Sequence, residues 1–333
     1  MTLLSRPMLR VCLSAILVVQ VTSAMAQTTL KVSTCLPKND DLSESFLATF
    51  VERMKQNEKS VRLNFIGGPE VTAGKEQPAA LKRGLIDIIL CPTYYAGIVP
   101  EARLLLPANE SPDELRKNGG WDLMQEAWLK GMNARILAWG YYGVGKFYLY
   151  TGFTPTANEK TGIDLSGKKI RSTLNYVPLI KAMGGTPVTM APSEVYTALE
   201  RGVVDGFVWP EGSVTKYGWH KYVKVRVSPG FFRLGVLTMM NADKFNSLSA
   251  EAQNQLSEAG RYMEKESSVV LRKKIDADTR RLMDAGVKEL ELKGAQRTAY
   301  LKSVYESTWD AVKNYKYKVD FQILKSKLYN PAN

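Results

Sequence analysis

The sequence is short of the residues from which most catalytic and metal sites are built. It has one histidine, His220, in 333 residues. Zinc centres, Ser/His/Asp triads and Cys/His pairs all draw on imidazole, so the common catalytic constellations have almost no material here. Within "KYGWHKY", His220 reads as a surface or packing residue. No Gly-rich phosphate loop of Rossmann or Walker type is present. Beyond the N-terminus, no apolar run approaches the ~20 residues needed to cross a bilayer. We therefore expect no catalytic residues, no cofactor and no metal. An exported enzyme on a bilobed scaffold, the rival from another class, would need an acid, base or nucleophile grouped together, and the sequence groups none.

Cysteine is scarce as well. Arg6 and Arg10 precede the apolar run "VCLSAILVVQV", and "AMA" ends at Ala26. Residues 1–26 thus read as a cleaved secretory signal, with the mature protein starting at Gln27 in the periplasm. Cys12 lies inside that signal without the placement of a lipid-attachment cysteine. Cys35 and Cys91 remain. In an oxidising compartment such a pair is either a disulfide or two small buried hydrophobes, and spacing alone does not choose.

What is present is an ordinary globular composition with excess positive charge. At 45% hydrophobic and 23% charged, the chain can bury the core of one large or two medium domains. Removing Arg6 and Arg10 lowers the formal charge from +12 to +10. Lys and Arg are spread out, with one dense run, "RKKIDADTRR", from Arg272 to Arg281. No basic face with interleaved aromatics appears, so nucleic acid is not an expected partner; the charge reads as solvated helix faces and a field that attracts small anions.

Two stretches read alike: "AALKRGLIDIIL" from Ala79 and "TALERGVVDGFV" from Thr197. In both, glycine (Gly84, Gly202) sits where a helix must stop, and an aliphatic pair with an aspartate opens the next strand. The first copy closes the series "TLKVSTCLP", "DLSESFLATFVERMKQN", "VRLNFIGG", "TAGKEQPAALKRG", "LIDIILCP", which reads β, α, β, α, β and implies a parallel sheet with helical crossovers. The second closes "GKKIRST", "YVPLIKAMGG", "PVTM", "PSEVYTALERG", "VVDGFV". The pattern predicts an α/β fold with two lobes, and a cleft between them at the carboxyl ends of strands. From Ser249 to Ala285 there is no proline and one glycine, Gly260. A continuous helix there would be roughly 55 Å long and run along both lobes, unless Gly260 breaks it. "RTAYLKSVYESTWDAVKNY" predicts a further amphipathic helix whose aromatics are core.

The run "LSGKKIRSTLNYVPLIKAMGGTPVTMAPSEVYTALERGVVDGFVWP", Leu165 to Pro210, carries a family resemblance. With the export signal, twin lobes and long helix, the mature chain is similar to the solute-binding component of a tripartite ATP-independent periplasmic (TRAP) transporter. The resemblance implies a two-lobed periplasmic-binding-protein clam-shell with a long helix spanning both lobes. It also implies capture of an organic acid for delivery to TRAP integral membrane subunits; a monomer is expected. A binding protein of an ATP-driven importer is the rival in the same class. Lobe I is expected over 27–145 plus 232–265, and lobe II over 146–231 plus 266–333.

Arg171 matches the arginine that in this family pairs with the substrate carboxylate, and a guanidinium supplies the two parallel donors such a group needs. Many relatives carry a second arginine where this chain has "GVGKFYLYTG", so Lys146 is the candidate stand-in. Trp209 replaces a common asparagine, and Tyr94 and Tyr95 follow the third strand on the opposite lobe. With Phe207 and Asn175 these complete the expected ligand-binding set, which suits a monocarboxylate with an apolar or aromatic body. Glu211 resembles a position near a bound cation in keto-acid-binding relatives, but no ligand cluster here supports a metal. Cys35 and Cys91 end the first and third strands of lobe I, which in a parallel sheet lie side by side about 4.8 Å apart. A disulfide at the cleft edge is expected on that basis.

Overall fold

The computed structural model describes residues 27–330, so the expected signal at 1–26 lies outside the described residues. The strands in chain order are β1 (Thr28–Thr34), β2 (Val61–Gly67), β3 (Ile88–Cys91), β4 (Ala134–Gly140), β5 (Phe147–Thr151), β6 (Thr156–Asn158) and β7 (Gly162–Asp164). Then follow β8 (Lys169–Ser172), β9 (Thr186–Thr189), β10 (Gly206–Pro210), β11 (Val225–Phe231), β12 (Val236–Asn241) and β13 (Lys288–Glu291). They form two main sheets, β2-β1-β3-β12-β4 and β13-β11-β5-β10-β8-β9, with β6-β7 a separate pair. The expected parallel cores are present: β2, β1 and β3 in the first sheet, β10, β8 and β9 in the second. The returning strands β12 and β5 enter antiparallel.

The repeated sentence is one structural device used twice. Gly84 and Gly202 both adopt the left-handed conformation, at φ 70° and 65°, which an L side chain adopts only at a cost. Leu85 N–H donates back to Ala80 O at 3.0 Å and Val203 N–H to Ala198 O at 2.8 Å, the same helix-ending pattern. The aspartates then act alike. Asp87 Oδ2 accepts from Lys31 N–H at 2.7 Å, and Asp205 Oδ2 accepts from Lys169 N–H at 2.7 Å. Each carboxylate thus stitches the entry of one parallel strand to its neighbour, a job that glutamate or asparagine would do less well at this reach and charge.

Alternation along the strands sets what covers each face. In the first sheet Leu30, Val32, Ile88 and Leu90 face Phe46, Phe50, Leu256 and Met263, while Ile89, Cys91, Leu237 and Trp139 face Leu81, Met124 and Trp128. In the second, Leu149, Ile170, Val208 and Val227 face Leu179, Ile180, Tyr300 and Val304. Tyr150 and Phe207 face Val195, Leu199, Trp219 and Leu282. Both sheets are therefore covered on both sides, as βαβ construction requires.

The long helix is unbroken from Ala250 to Asp284, 35 residues and about 52 Å. Gly260 is not a break. A Cβ there would stand 2.2 Å from Leu137 O, so glycine is what lets the helix lie against β4. Further along, Asp278 accepts from Val214 N–H at 3.0 Å and Leu282 enters the core beside the second sheet, so the helix serves both lobes. The terminal helix Phe321–Leu328, which falls in the expected 266–333 segment of lobe II, buries Leu324 and Leu328 in the same cluster as Trp121 and Trp128, beside the first sheet.

Cys35 and Cys91 are joined by a disulfide with a Cα separation of 5.0 Å. Cys35 N–H also donates to Leu90 O at 2.9 Å, so the bridge continues the β1–β3 ladder at its carboxyl end.

Candidate functional site

The third residue of β8 brings a charge into a nearly dry place. Arg171 is 1% exposed. Its Nη2 donates to Met190 O at 3.0 Å and Nη1 to Val208 O at 3.5 Å, while Nε is buried without a partner. Among the described residues no aspartate or glutamate forms an ion pair with it. Burial pulls its pKa down, and Tyr176, Tyr94 and Glu194 nearby push the other way. The guanidinium carbon stands 5.2 Å from the centre of the Trp209 ring, a cation–π contact. A cation held over an aromatic face with a donor left over is suited to an anion.

Trp209 is fixed from behind by Trp219 and Tyr217, with ring centres 4.9 and 6.0 Å away. From the first lobe comes the short turn Thr93–Tyr95 after β3. Asn175 Nδ2 donates across to Thr93 Oγ1 at 3.2 Å, joining the lobes. Tyr94 is 40% exposed; burial raises its hydroxyl pKa, with Asp40 adding to the rise and Arg171 opposing it. Arg171, Trp209, Tyr94 and Asn175 are thus brought to one place.

Two expected residues point into cores instead, and a third lies just before β5 of the second sheet. Tyr95 points the other way, 1% exposed, its ring 5.9 Å from Trp128 in the core of the first lobe. The tight turn that leaves Tyr94 outside carries the next residue inward. Phe207 is fully buried, stacked 5.0 Å from Tyr150 and covered by Trp219. Lys146 is exposed at the start of β5, beside Glu211, whose N–H donates to Lys146 O at 2.7 Å. Glu211 itself faces Arg272 at 3.6 Å, and burial raises its pKa. His220 lies in the short turn Trp219–Tyr222.

The sequence reading missed the partners that reach across from the turn after β1. Asp40 caps the helix that starts at Asp41, accepting from Leu42 N–H at 2.9 Å, and also accepts from Tyr217 OH at 3.0 Å. Asp41 accepts from Ser213 OH at 2.6 Å and from Lys216 Nζ at 3.2 Å. Lys274 of the long helix stands 3.6 Å from Asp41. Tyr176, after β8, is buried beside Phe147 at 5.4 Å.

The profile of the bacterial extracellular solute-binding protein family 7 matches residues 33–314. The chain belongs to this family. Family 7 is the family of TRAP solute-binding proteins, the resemblance read from Leu165 to Pro210. One relative is the 2,3-diketo-L-gulonate-binding periplasmic protein YiaO of Escherichia coli, 29% identical over 215 residues, 58% of this chain and 62% of that protein. A TRAP periplasmic solute binding protein from Chromohalobacter salexigens with bound D-glucuronate superposes at a TM-score of 0.72, with 22% identity over 90% of this chain and 97% of the other. One from Desulfovibrio desulfuricans with bound sn-glycerol-3-phosphate superposes at 0.77, with 16% identity over 90% and 96%. These superpositions establish the two-lobed fold of the family 7 protein.

Proposed function

We propose that this family 7 protein captures an organic carboxylate in the periplasm and delivers it, as a monomer, to the integral membrane subunits of a TRAP transporter. The observation that carries the reading is Arg171: a buried guanidinium with an unpartnered Nε, set over an indole ring at the meeting of two lobes. A carboxylate entering so dry a site loses its hydration, and aligned donors on a permanent cation restore that loss. Lys146, exposed just before β5, is the candidate second cation in this reading, and Arg171 anchors the anionic group. Trp209, Tyr94, Tyr176 and Tyr217 around it suit a monocarboxylate with an apolar or aromatic body. The relatives above are named for, or hold, sugar-derived acids and a phosphate ester; the anion is shared and the body differs. Closure of the lobes, divided as 27–145 with 232–265 and 146–231 with 266–333 apart from the terminal helix, which packs on the first lobe, would present one shape to the membrane partner.

The test is mass spectrometry of small molecules released from the purified protein, followed by a thermal-shift screen of carboxylates. An acid at 100 times its dissociation constant adds about 2.7 kcal/mol of stability, which a melting curve resolves. Stabilisation by neutral solutes with none by any carboxylate would overturn the proposal.

A further inference from the structure

The run of aromatic rings that begins at Arg171 ends at a charge of the opposite sign, Asp40, and nothing in the sequence motif accounts for it. We propose that Asp40 reads the far end of the ligand, so that the protein takes acids whose opposite end offers a hydrogen-bond donor, hydroxyl or ammonium, and rejects dicarboxylates. This rests on the carboxylate reading of Arg171 given above.

The two charges share one aromatic wall. Arg171 lies over Trp209 at 5.2 Å, Trp209 packs against Tyr217 at 6.0 Å, and the Tyr217 hydroxyl donates to Asp40 Oδ2 at 3.0 Å. Tyr94 is near enough for its hydroxyl to feel both charges, Asp40 raising its pKa and Arg171 opposing the rise. Each Asp40 oxygen holds one donor, Leu42 N–H on Oδ1 and Tyr217 OH on Oδ2. A carboxylate has about four lone-pair sites, so acceptor capacity remains. The nearby Lys216 ammonium is engaged by Asp41 at 3.2 Å and by Asn39 O. Among the described residues no cation forms an ion pair with Asp40, so its negative charge is available to a ligand. A second carboxylate brought beside it in a water-poor cleft meets like charge, whereas a hydroxyl or ammonium gains a charge-assisted bond.

Matched probes separate the end from the body. One pair is 4-hydroxyphenylacetate against 4-carboxyphenylacetate; the other is D-galactonate against D-galactarate. In each, a terminal hydroxyl is exchanged for a carboxylate. Calorimetric titration of the wild type should show, in whichever pair binds, at least a tenfold preference for the hydroxyl-ended acid. In Asp40→Asn that preference should shrink at least tenfold. Asparagine keeps an acceptor for Leu42 N–H and turns an amide donor toward the Tyr217 oxygen, and the preference is a ratio within one protein, so a general loss of affinity cancels. Arg171→Ala should abolish binding of both members. If the wild type binds the dicarboxylate as tightly as its partner, or Asp40→Asn leaves the ratio unchanged while Arg171→Ala still abolishes binding, the role of Asp40 is overturned and the carboxylate reading stands. Binding that survives Arg171→Ala overturns both.

Discussion

Arg171 spends two of its donor groups on backbone carbonyls, Met190 O and Val208 O, and these hold the guanidinium plane over Trp209 rather than satisfy it. Hydrogen bonds to charged groups are worth about 1.5–3 kcal/mol each, so removing the pair to a ligand carboxylate should weaken binding by at least about a hundredfold. Calorimetric titration of the acid identified by mass spectrometry into Arg171→Ala and Arg171→Lys checks this. Alanine should abolish binding and lysine should restore only part, because a point charge cannot make two parallel bonds. An alanine variant within threefold of wild type would remove Arg171 from the role. The nearness of Arg171 to Trp209 was legible in the sequence because both lie in one contiguous motif. Tyr95 and Phe207 were misplaced because an aromatic at a strand end reads equally as cleft wall or core, and only the turn after β3 and the cover of Trp219 decide the direction. Asp40 and Tyr217 were invisible for another reason: their contact joins residues 177 apart, and neither belongs to a motif.

At the scale of elements, the strands and helices followed from alternation and helical spacing, and the doubled helix-to-strand junction held in both copies down to its aspartate. One reading was off. The helix expected from Thr72 to Gly84 spans only Gln77–Lys82, since a Cβ on Gly74 would stand 2.2 Å from Cys35 O and the segment before it is fixed as a turn. The expected continuous long helix held, and the alternative of a break at Gly260 did not. In an exposed helix, alanine would be favoured over glycine by about 1 kcal/mol. Here the added methyl meets the Leu137 carbonyl, and overpacking costs about 1–3 kcal/mol. Gly260→Ala should therefore lower the melting temperature despite its better propensity, and a variant that melts higher would show that the helix can lift from β4 freely.

Across the whole molecule, the turn after β1 is tied to the loop after β10. Burial alone would raise the Asp41 pKa, but hydrogen bonds from Ser213 and Lys216, with the charges of Lys216 and Lys274, hold it below its ordinary value of 3.8. A carboxyl depressed in the folded state stabilises above its unfolded value and loses that contribution as pH falls through the folded one. The melting-temperature difference between wild type and Asp41→Asn should thus be constant above about pH 5 and shrink below the ordinary carboxyl value. A difference independent of pH would mean that the tie does not depend on the Asp41 charge. Two lobes were legible from the repeated junction, yet their fastening was not, because it belongs to neither lobe alone. The order of strands carries a consequence for how the chain is made. β12, residues 236–241, sits between β3 and β4 in the first sheet, after the chain has already built most of the second. As the chain emerges from the ribosome N-terminus first, β3, ending at Cys91, and β4, ending at Gly140, wait with open edges until β12 starts at Val236. The first lobe begins the chain but is completed only after the second lobe's principal strands exist, so neither lobe can be cut out of the gene as a contiguous unit.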